Sequence, residues 1–249
     1  SILNSGTIND TAITTSESTA SAYGIYVNGD AFGNVTNTGT IEVLASAQDT
    51  YYGYAYGIEI EGDLGATLSN SGTIDVTANA LTSTAEAYGI AVQGDVTAAG
   101  SILNTGTIDA EAYGIFVDGD LLAESSVSNT GTIDVYAEVE TEEATAYGIY
   151  FAGAVDAGAS LSNSGTIMVE ALSSSDSSAL AIGILVNEDV SGSVVNSGTI
   201  MADATASYSA TAWGVEINGG LEGTFENSGT IMTYAESTDA TVDSTGIYV

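Results

Sequence analysis

Residues 101–117 read SILNTGTIDAEAYGIFV and contain, in compact form, the two motifs that repeat along the chain. The first motif is Asn-(Ser or Thr)-Gly-Thr-Ile, and the second is a Gly-Ile motif downstream of it. The first motif starts at Asn4, Asn37, Asn70, Asn104, Asn129, Asn163, Asn196 and Asn227. Successive starts lie 33, 33, 34, 25, 34, 33 and 31 residues apart, a period typical of stacked repeats rather than of a single globular core. The sequence therefore predicts a solenoid.

Three short segments in each unit alternate apolar and polar residues, as half-buried β-strands do. The second segment has inward residues two apart, such as Ile74 and Val76, and the Gly-Ile segment has pairs such as Ile90 and Val92. In the first segment, the residue two places before the Asn is apolar in every unit: Ile2, Val35, Leu68, Ile102, Val127, Leu161, Val194 and Phe225. A period of two in β-branched segments excludes helical solenoids.

We therefore predict an all-β fold, a parallel β-helix (β-solenoid) of eight repeats of about 33 residues, right-handed as expected from strand twist. Because no change in composition divides the repeats, residues 1–249 are predicted to form one solenoid domain. Its units start near residues 1, 34, 67, 101, 126, 160, 193 and 224.

The Asn of the first motif shares the parity of the apolar residue before it, which points its side chain inward at a corner. A buried Asn column can hydrogen-bond turn backbone and form an amide ladder along the axis. We therefore predict a structural role for all eight Asn residues, with the Thr of the motif pointing outward.

A segment rich in Ala, Ser and Thr separates the second and third strands of most units, as in residues 77–87. The fourth unit almost lacks it, since Gly114 follows Ile108 after six residues. The extra residues either widen each coil or project as a stacked hairpin.

The charge balance restricts the possible partners, because the chain has 33 acidic residues and no Lys, Arg or His. A formal charge of −33 disfavours nucleic acid and anionic membranes and favours cations. The apolar runs are also shorter than the roughly 20 residues that span a bilayer. Without His, Cys or Lys, most catalytic constellations are excluded, so an enzyme is not expected. Carboxylate-based cleavage of polysaccharides is the enzymatic alternative.

An acidic column follows the third strand. It is predicted to bind Ca²⁺, a cation that prefers oxygen ligands, and consists of Asp30, Asp63, Asp95, Asp120 and Asp189, with Glu61 and Asp118 in the preceding turn. Stacked carboxylates repel by roughly 1 kcal/mol per neighbour even in water, which favours a bridging cation. The alternative is a set of solvated turns in which Gly-Asp suits the backbone.

Two further columns are candidate contact surfaces. The residue after the motif Ile is acidic or Asn up to Asp134 and becomes Met168, Met201 and Met232 in the last units. This Met stripe is either a contact patch for a neighbouring molecule or a surface covered by a loop. A Tyr column precedes the Gly-Ile motif, and stacked rings of this kind are more often a packing ladder than a platform for sugars.

The repeated "NSGTI" and "NTGTI" segments, each group followed by "YGI" segments, resemble the passenger β-helices of bacterial autotransporters and related large surface adhesins. The resemblance covers the units from Asn4 to Ile247. It implies an extracellular location at the bacterial cell surface.

The chain begins at Ser1 without Met or a signal peptide, consistent with either a segment processed from a longer polypeptide or a mature chain. Both ends carry strand sequence without a recognisable cap, and open sheet ends need pairing. We therefore expect a structural protein that stacks head to tail into a filament or surface layer, stabilised by calcium. The alternative is an adhesin stalk that binds a host or glycan ligand.

Overall fold

A computed structural model describes residues 1–15, 18–47, 52–80, 85–139, 143–174 and 177–249. It contains three parallel sheets of eight strands each, and every repeat contributes one strand to each sheet. The described part of the chain contains no helix, and therefore none that could cross a membrane. The predicted all-β parallel solenoid is confirmed.

Each repeat forms one rung of three strands. Rungs one to four consist of β1 (Ile2–Asn4), β2 (Thr7–Thr14) and β3 (Ala20–Val27); β4 (Val35–Asn37), β5 (Thr40–Ala47) and β6 (Gly53–Ile60); β7 (Thr67–Asn70), β8 (Thr73–Ala80) and β9 (Ala85–Val92); and β10 (Ser101–Asn104), β11 (Thr107–Ala110) and β12 (Tyr113–Val117). Rungs five to eight consist of β13 (Ser126–Asn129), β14 (Thr132–Val139) and β15 (Ala144–Phe151); β16 (Ser160–Asn163), β17 (Thr166–Ser173) and β18 (Ser178–Val186); β19 (Ser193–Asn196), β20 (Thr199–Ala206) and β21 (Ser209–Ile217); and β22 (Thr224–Asn227), β23 (Thr230–Ser237) and β24 (Val242–Tyr248).

The register between rungs pairs each motif residue with its counterpart, so that Ile74 pairs with Ile108 and Ile108 with Ile133. This column is therefore a continuous ladder of Ile side chains, and these three residues are fully buried. Fully burying one such side chain contributes about 1.5–3 kcal/mol. Since the paired neighbours supply the cover, each rung depends on the rungs beside it.

The core contains a fourth inward column, at the corner after the acidic turn, that the three predicted strands did not include. It is formed by isolated parallel bridges between Ala31, Leu64, Val96, Leu121, Val155, Val190 and Leu221. Each of these residues follows the Asp of the turn or its equivalent, and those in the middle of the stack are fully buried. The corner therefore closes the core between the third sheet and the next rung.

The Gly-Ile motif shifts the inward alternation of the third sheet by one residue. In β9, Ala87 and Ile90 are both fully buried although they lie three residues apart. A Cβ on the intervening Gly89 would lie 2.2 Å from Ile108 Cγ2 and 2.6 Å from the Gly114 carbonyl oxygen. The motif needs Gly because the backbone approaches the opposite sheet there.

The Ala-rich segments widen the rungs. In rung two, β5 and β6 both continue into this segment, and each pairs with the equivalent strands of rung three through to Ala80 and Ala85. The inward residues of the two arms are Ala, such as Ala45 and Ala55, both fully buried. Small side chains let the second and third sheets pack closely, and we call this two-layered part of each rung the extension. Residues 16–17, 48–51, 81–84, 140–142 and 175–176 lie outside the described residues.

Candidate functional site

The Asn side chains form a buried hydrogen-bonded ladder. Asn104 Nδ2 donates to Asn129 Oδ1 at 2.8 Å and to the Thr132 carbonyl oxygen at 3.1 Å. The same side-chain contact joins every successive pair of rungs at 2.7–2.9 Å, from Asn4 to Asn227. The six Asn residues between these ends are fully buried. All donors point the same way, so the ladder has a direction.

The acidic column of the third turn is also joined by hydrogen bonds between rungs. Asp30 Oδ1 accepts the Asp63 N–H at 3.0 Å, and Asp63 Oδ1 accepts the Asp95 N–H at 3.0 Å. Asp95 Oδ1 accepts the Asp120 N–H at 2.9 Å, and Asp189 Oδ1 accepts the Gly220 N–H at 2.7 Å. Each carboxylate thus satisfies a backbone donor of the next rung with one oxygen.

The remaining predicted calcium ligands occupy the edge of the same turn. Glu61 accepts a hydrogen bond from Asn28 Nδ2 at 2.8 Å, and Asp118 is exposed. In the described residues, no three acidic side chains converge as a metal-binding group. The acidic column therefore has a structural use, and cation binding by its outward oxygens remains a prediction.

The Met stripe lies on the outer face of the second sheet. Met168 pairs with Asp134 on one side and with Met201 on the other, and Met201 pairs with Met232. Met201 and Met232 are 39% and 46% exposed. The stripe is therefore at the surface rather than beneath a loop, and it continues the second-sheet column of Asp75, Asp109 and Asp134.

The Tyr column forms a stacked ladder on the outer face of the third sheet. The rings of Tyr56, Tyr88 and Tyr113 are nearly parallel, with centroids 4.6–4.8 Å apart. Burial raises the pKa of the Tyr147 hydroxyl, at the end of the ladder, to about 12. These rings thus pack against one another over most of their area.

A groove of about 470 Å³ lies where Ile182 takes the place of Tyr in this column, between the rings of Tyr147 and Trp213. Its polar wall includes Glu216 and Asn218. Burial raises the pKa of the Glu216 carboxyl. Among the buried side-chain nitrogens and oxygens of the described residues, Trp213 Nε1 is the one that lacks a hydrogen-bond partner. We call this the aromatic groove.

The strongest break in the repeat pattern is at rung four, which has no extension. Pairing between β8 and β11 stops at Val76 and Ala110, whereas β8 pairs with β5 through to Ala80. On the other side, β11 pairs with β14 only as far as Val135, although β14 continues to Val139. The extensions of rungs three and five are therefore separated by two strand spacings, roughly 9.6 Å.

The resulting cleft, which we call the slot, has a volume of about 420 Å³. Of the residues that the structure describes, four glutamates line it: Glu86, Glu111, Glu138 and Glu143. Glu111 lies on the short turn of rung four and accepts the Ala78 N–H at 2.7 Å. Burial raises the pKa of its carboxyl to about 7, opposed by this hydrogen bond. The slot therefore combines negative charge with strand edges that have no neighbouring strand at their level.

The slot has a signal in the sequence, which is the short spacing of 25 residues between Asn104 and Asn129. The aromatic groove had a similar signal in the change from Tyr147 to Ile182. The slot is shaped by the extensions of the rungs beside rung four, which lacks one. The aromatic groove is shaped by the rings on either side of Ile182, where a Tyr ring is absent.

Comparison of the chain with protein-family models, with curated proteins and with solved structures found no match.

Proposed function

We propose that the protein is a structural, non-enzymatic subunit of the bacterial cell surface that assembles end to end through its solenoid axis. The observation that carries this proposal is the pairing of every rung with the next in all three sheets, a stacking pattern that can continue from one copy to another. Ile2 is 39% exposed whereas Val35, its partner in the next rung, is 1% exposed. At the other end Ile247 is 44% exposed and its partner Val215 is fully buried. A second copy in register covers these columns.

The direction of the Asn ladder supports head-to-tail rather than head-to-head contact. Asn4 Nδ2 donates into the stack, which leaves its Oδ1 facing the outer side with the Gly6 N–H as its donor. Asn227 Oδ1 accepts from Asn196, so its own Nδ2 faces the opposite end. In head-to-tail stacking, Asn227 Nδ2 of one copy therefore faces Asn4 Oδ1 of the next, so that a donor meets an acceptor. Such a heterologous contact does not close on itself, and it produces a filament.

Charge controls this assembly, because each copy carries −33 and no basic residue. Stacking two copies brings like charges together, so the association requires screening or bound cations. We propose that Ca²⁺ supplies this by binding the free oxygens of the acidic turns, since it favours carboxylate ligands. The repetition of these turns from rung to rung also favours a structural role over a single catalytic cluster.

We expect filaments in electron micrographs of the pure chain with calcium, and dispersed particles with chelator. Ile247→Asp should block filament formation, because it places a charge on the exposed core column of the last rung. Tyr208→Asp is the matched control, since Tyr208 is 57% exposed on the side of the stack. Monodisperse particles under every ionic condition would contradict the assembly proposal. If NaCl at equal ionic strength replaces calcium fully, assembly stands and the calcium site is rejected.

The aromatic groove favours a second candidate function, a surface adhesin that binds a neutral glycan. Aromatic faces with nearby carboxylate and amide groups suit the apolar faces and hydroxyls of sugars, while the charge of the chain disfavours anionic sugars. Trp213 is the only Trp in the chain, so intrinsic Trp fluorescence reports on this groove alone. We expect neutral oligosaccharides such as maltohexaose or cellohexaose to shift this emission saturably, and Glu216→Gln to weaken binding about tenfold, as for loss of a charged hydrogen bond. Emission that no oligosaccharide changes would reject this candidate.

A further inference from the structure

We propose that the slot binds an extended, Lys- or Arg-containing segment of another protein, which adds as the strand layer that rung four lacks. This inference goes beyond end-to-end assembly and does not depend on it, because the slot opens on the side of the stack between rungs three and five.

The backbone geometry of the slot fits one strand. The gap of roughly 9.6 Å between the two extensions is twice the spacing of paired strands, so one strand added to the second sheet lies at pairing distance from both β8 and β14. Residues 77–80 of β8 and 136–139 of β14 extend beyond their pairing with β11. Strand addition to such edges gives affinity through main-chain hydrogen bonds.

Glu111 already occupies part of the missing layer. Its carboxylate accepts the Ala78 N–H, a bond that a carbonyl oxygen of an added strand would otherwise accept. An incoming segment can replace this side chain at Ala78 and leave the Glu111 carboxylate free to pair with a cationic side chain. The Glu111 side chain therefore occupies one hydrogen-bonding position of the slot without filling it.

The walls of the slot restrict the side chains of the occupant. Ala78 and Ala137 are the inward residues of the second sheet on either side, with exposures of 4% and 7%. An occupant that continues this column needs a small residue there, as Ala171 provides in rung six. Alternate residues of the segment then face outward, on the side of the second sheet where Glu138 lies.

The charge of the slot identifies the partner as a different, basic chain. Glu86, Glu111, Glu138 and Glu143 surround the opening, and opposite charge favours both encounter and register. A second copy of this chain has no Lys, Arg or His to offer, so it would meet only repulsion. The favoured occupant therefore alternates small and basic residues.

Peptide binding tests the proposal directly. The probe is a fluorescent, N-acetylated peptide of alternating Lys and Ala, measured by anisotropy at physiological ionic strength so that long-range attraction to the acidic surface is screened. We expect one saturable site. The same peptide N-methylated at alternate residues keeps its charge and loses N–H donors, and it should bind at least about tenfold more weakly.

Two variants locate the site. Glu86→Gln with Glu138→Gln should weaken binding at least about tenfold, whereas Glu188→Gln with Glu222→Gln, which makes the same charge change outside the slot, should leave it unchanged. Replacing Glu111 and Ala112 with a copy of residues 77–87 supplies the missing extension and should abolish binding. If that variant does not fold, as judged by circular dichroism, the paired Gln variants still decide. Equal binding of the N-methylated peptide, equal effects of the two Gln pairs, or no binding would overturn the proposal.

Discussion

Gly131→Ala is expected to lower the free energy of unfolding by at least about 4 kcal/mol. Few single substitutions cost this much. A Cβ at this position would lie 2.1 Å from the Gly106 carbonyl oxygen and 2.7 Å from the Thr105 carbonyl carbon. Both atoms belong to the backbone of the preceding rung, and no side-chain rotation can relieve the overlap. The two rungs must therefore move apart, which also weakens the ladder hydrogen bonds beside the turn.

Gly6→Ala is the matched control for this variant. Gly6 occupies the same position of the motif, but a Cβ there has no atom within 4 Å, since it lies in the first rung that the structure describes. We expect its effect to stay below about 1 kcal/mol, as for surface substitutions. Urea unfolding followed by circular dichroism measures both. Similar losses for the two variants would show that backbone freedom, rather than the approach of the rungs, accounts for the Gly.

Asn129→Leu is expected to cost about 4 kcal/mol, although Leu has the same number and branching of side-chain heavy atoms as Asn. Asn129 Nδ2 donates to Asn163 Oδ1 at 2.8 Å, and its Oδ1 accepts from Asn104 Nδ2 at 2.8 Å. Leu removes both contacts and leaves the buried partners unsatisfied, each at about 1–3 kcal/mol. It also interrupts the ladder in the middle. Because the amides of such a chain polarise one another, the hydrogen bonds on both sides become weaker.

Asn227→Leu makes the same chemical change at the exposed end of the ladder. Water can replace the lost partner of Asn196 there, so we expect a loss below about 1 kcal/mol. Thermal unfolding gives an independent comparison, since each 1 kcal/mol shifts Tm by roughly 2–4 °C for a chain of this size. If Asn129→Leu unfolds within about 2 °C of the unchanged chain, the ladder contributes little to stability.

The sequence predicted the parts of the fold that depend on the alternation of inward and outward residues along a strand. An apolar residue two places before each Asn, and pairs such as Ile74 and Val76, are sufficient to define inward columns, and identical motifs align in register when they stack. The fourth column was missed because Leu64 or Val96 stands alone in its turn, without an alternating neighbour.

The candidate sites depended on relations between rungs that composition does not contain. Asp63 can accept a backbone hydrogen bond as well as bind a metal, and only the position of the Asp95 N–H reveals the first of these uses. The sequence does not show whether a loop covers the Met stripe, and the exposure of Met232 shows that it lies at the surface. Likewise, the short spacing at rung four predicts a small coil, but the slot arises from the longer rungs on both sides.

The short rung also divides the solenoid into unequal blocks with separate cooperativity. In a linear stack, stability is the sum of what each rung contributes and what each neighbouring interface contributes. The interfaces on either side of rung four lack the paired extension strands that join rungs two and three. They are therefore the weakest couplings in the chain, and unravelling that starts at one end can halt there while the other block stays folded. Rung four is therefore expected to limit how far local unfolding spreads along the stack.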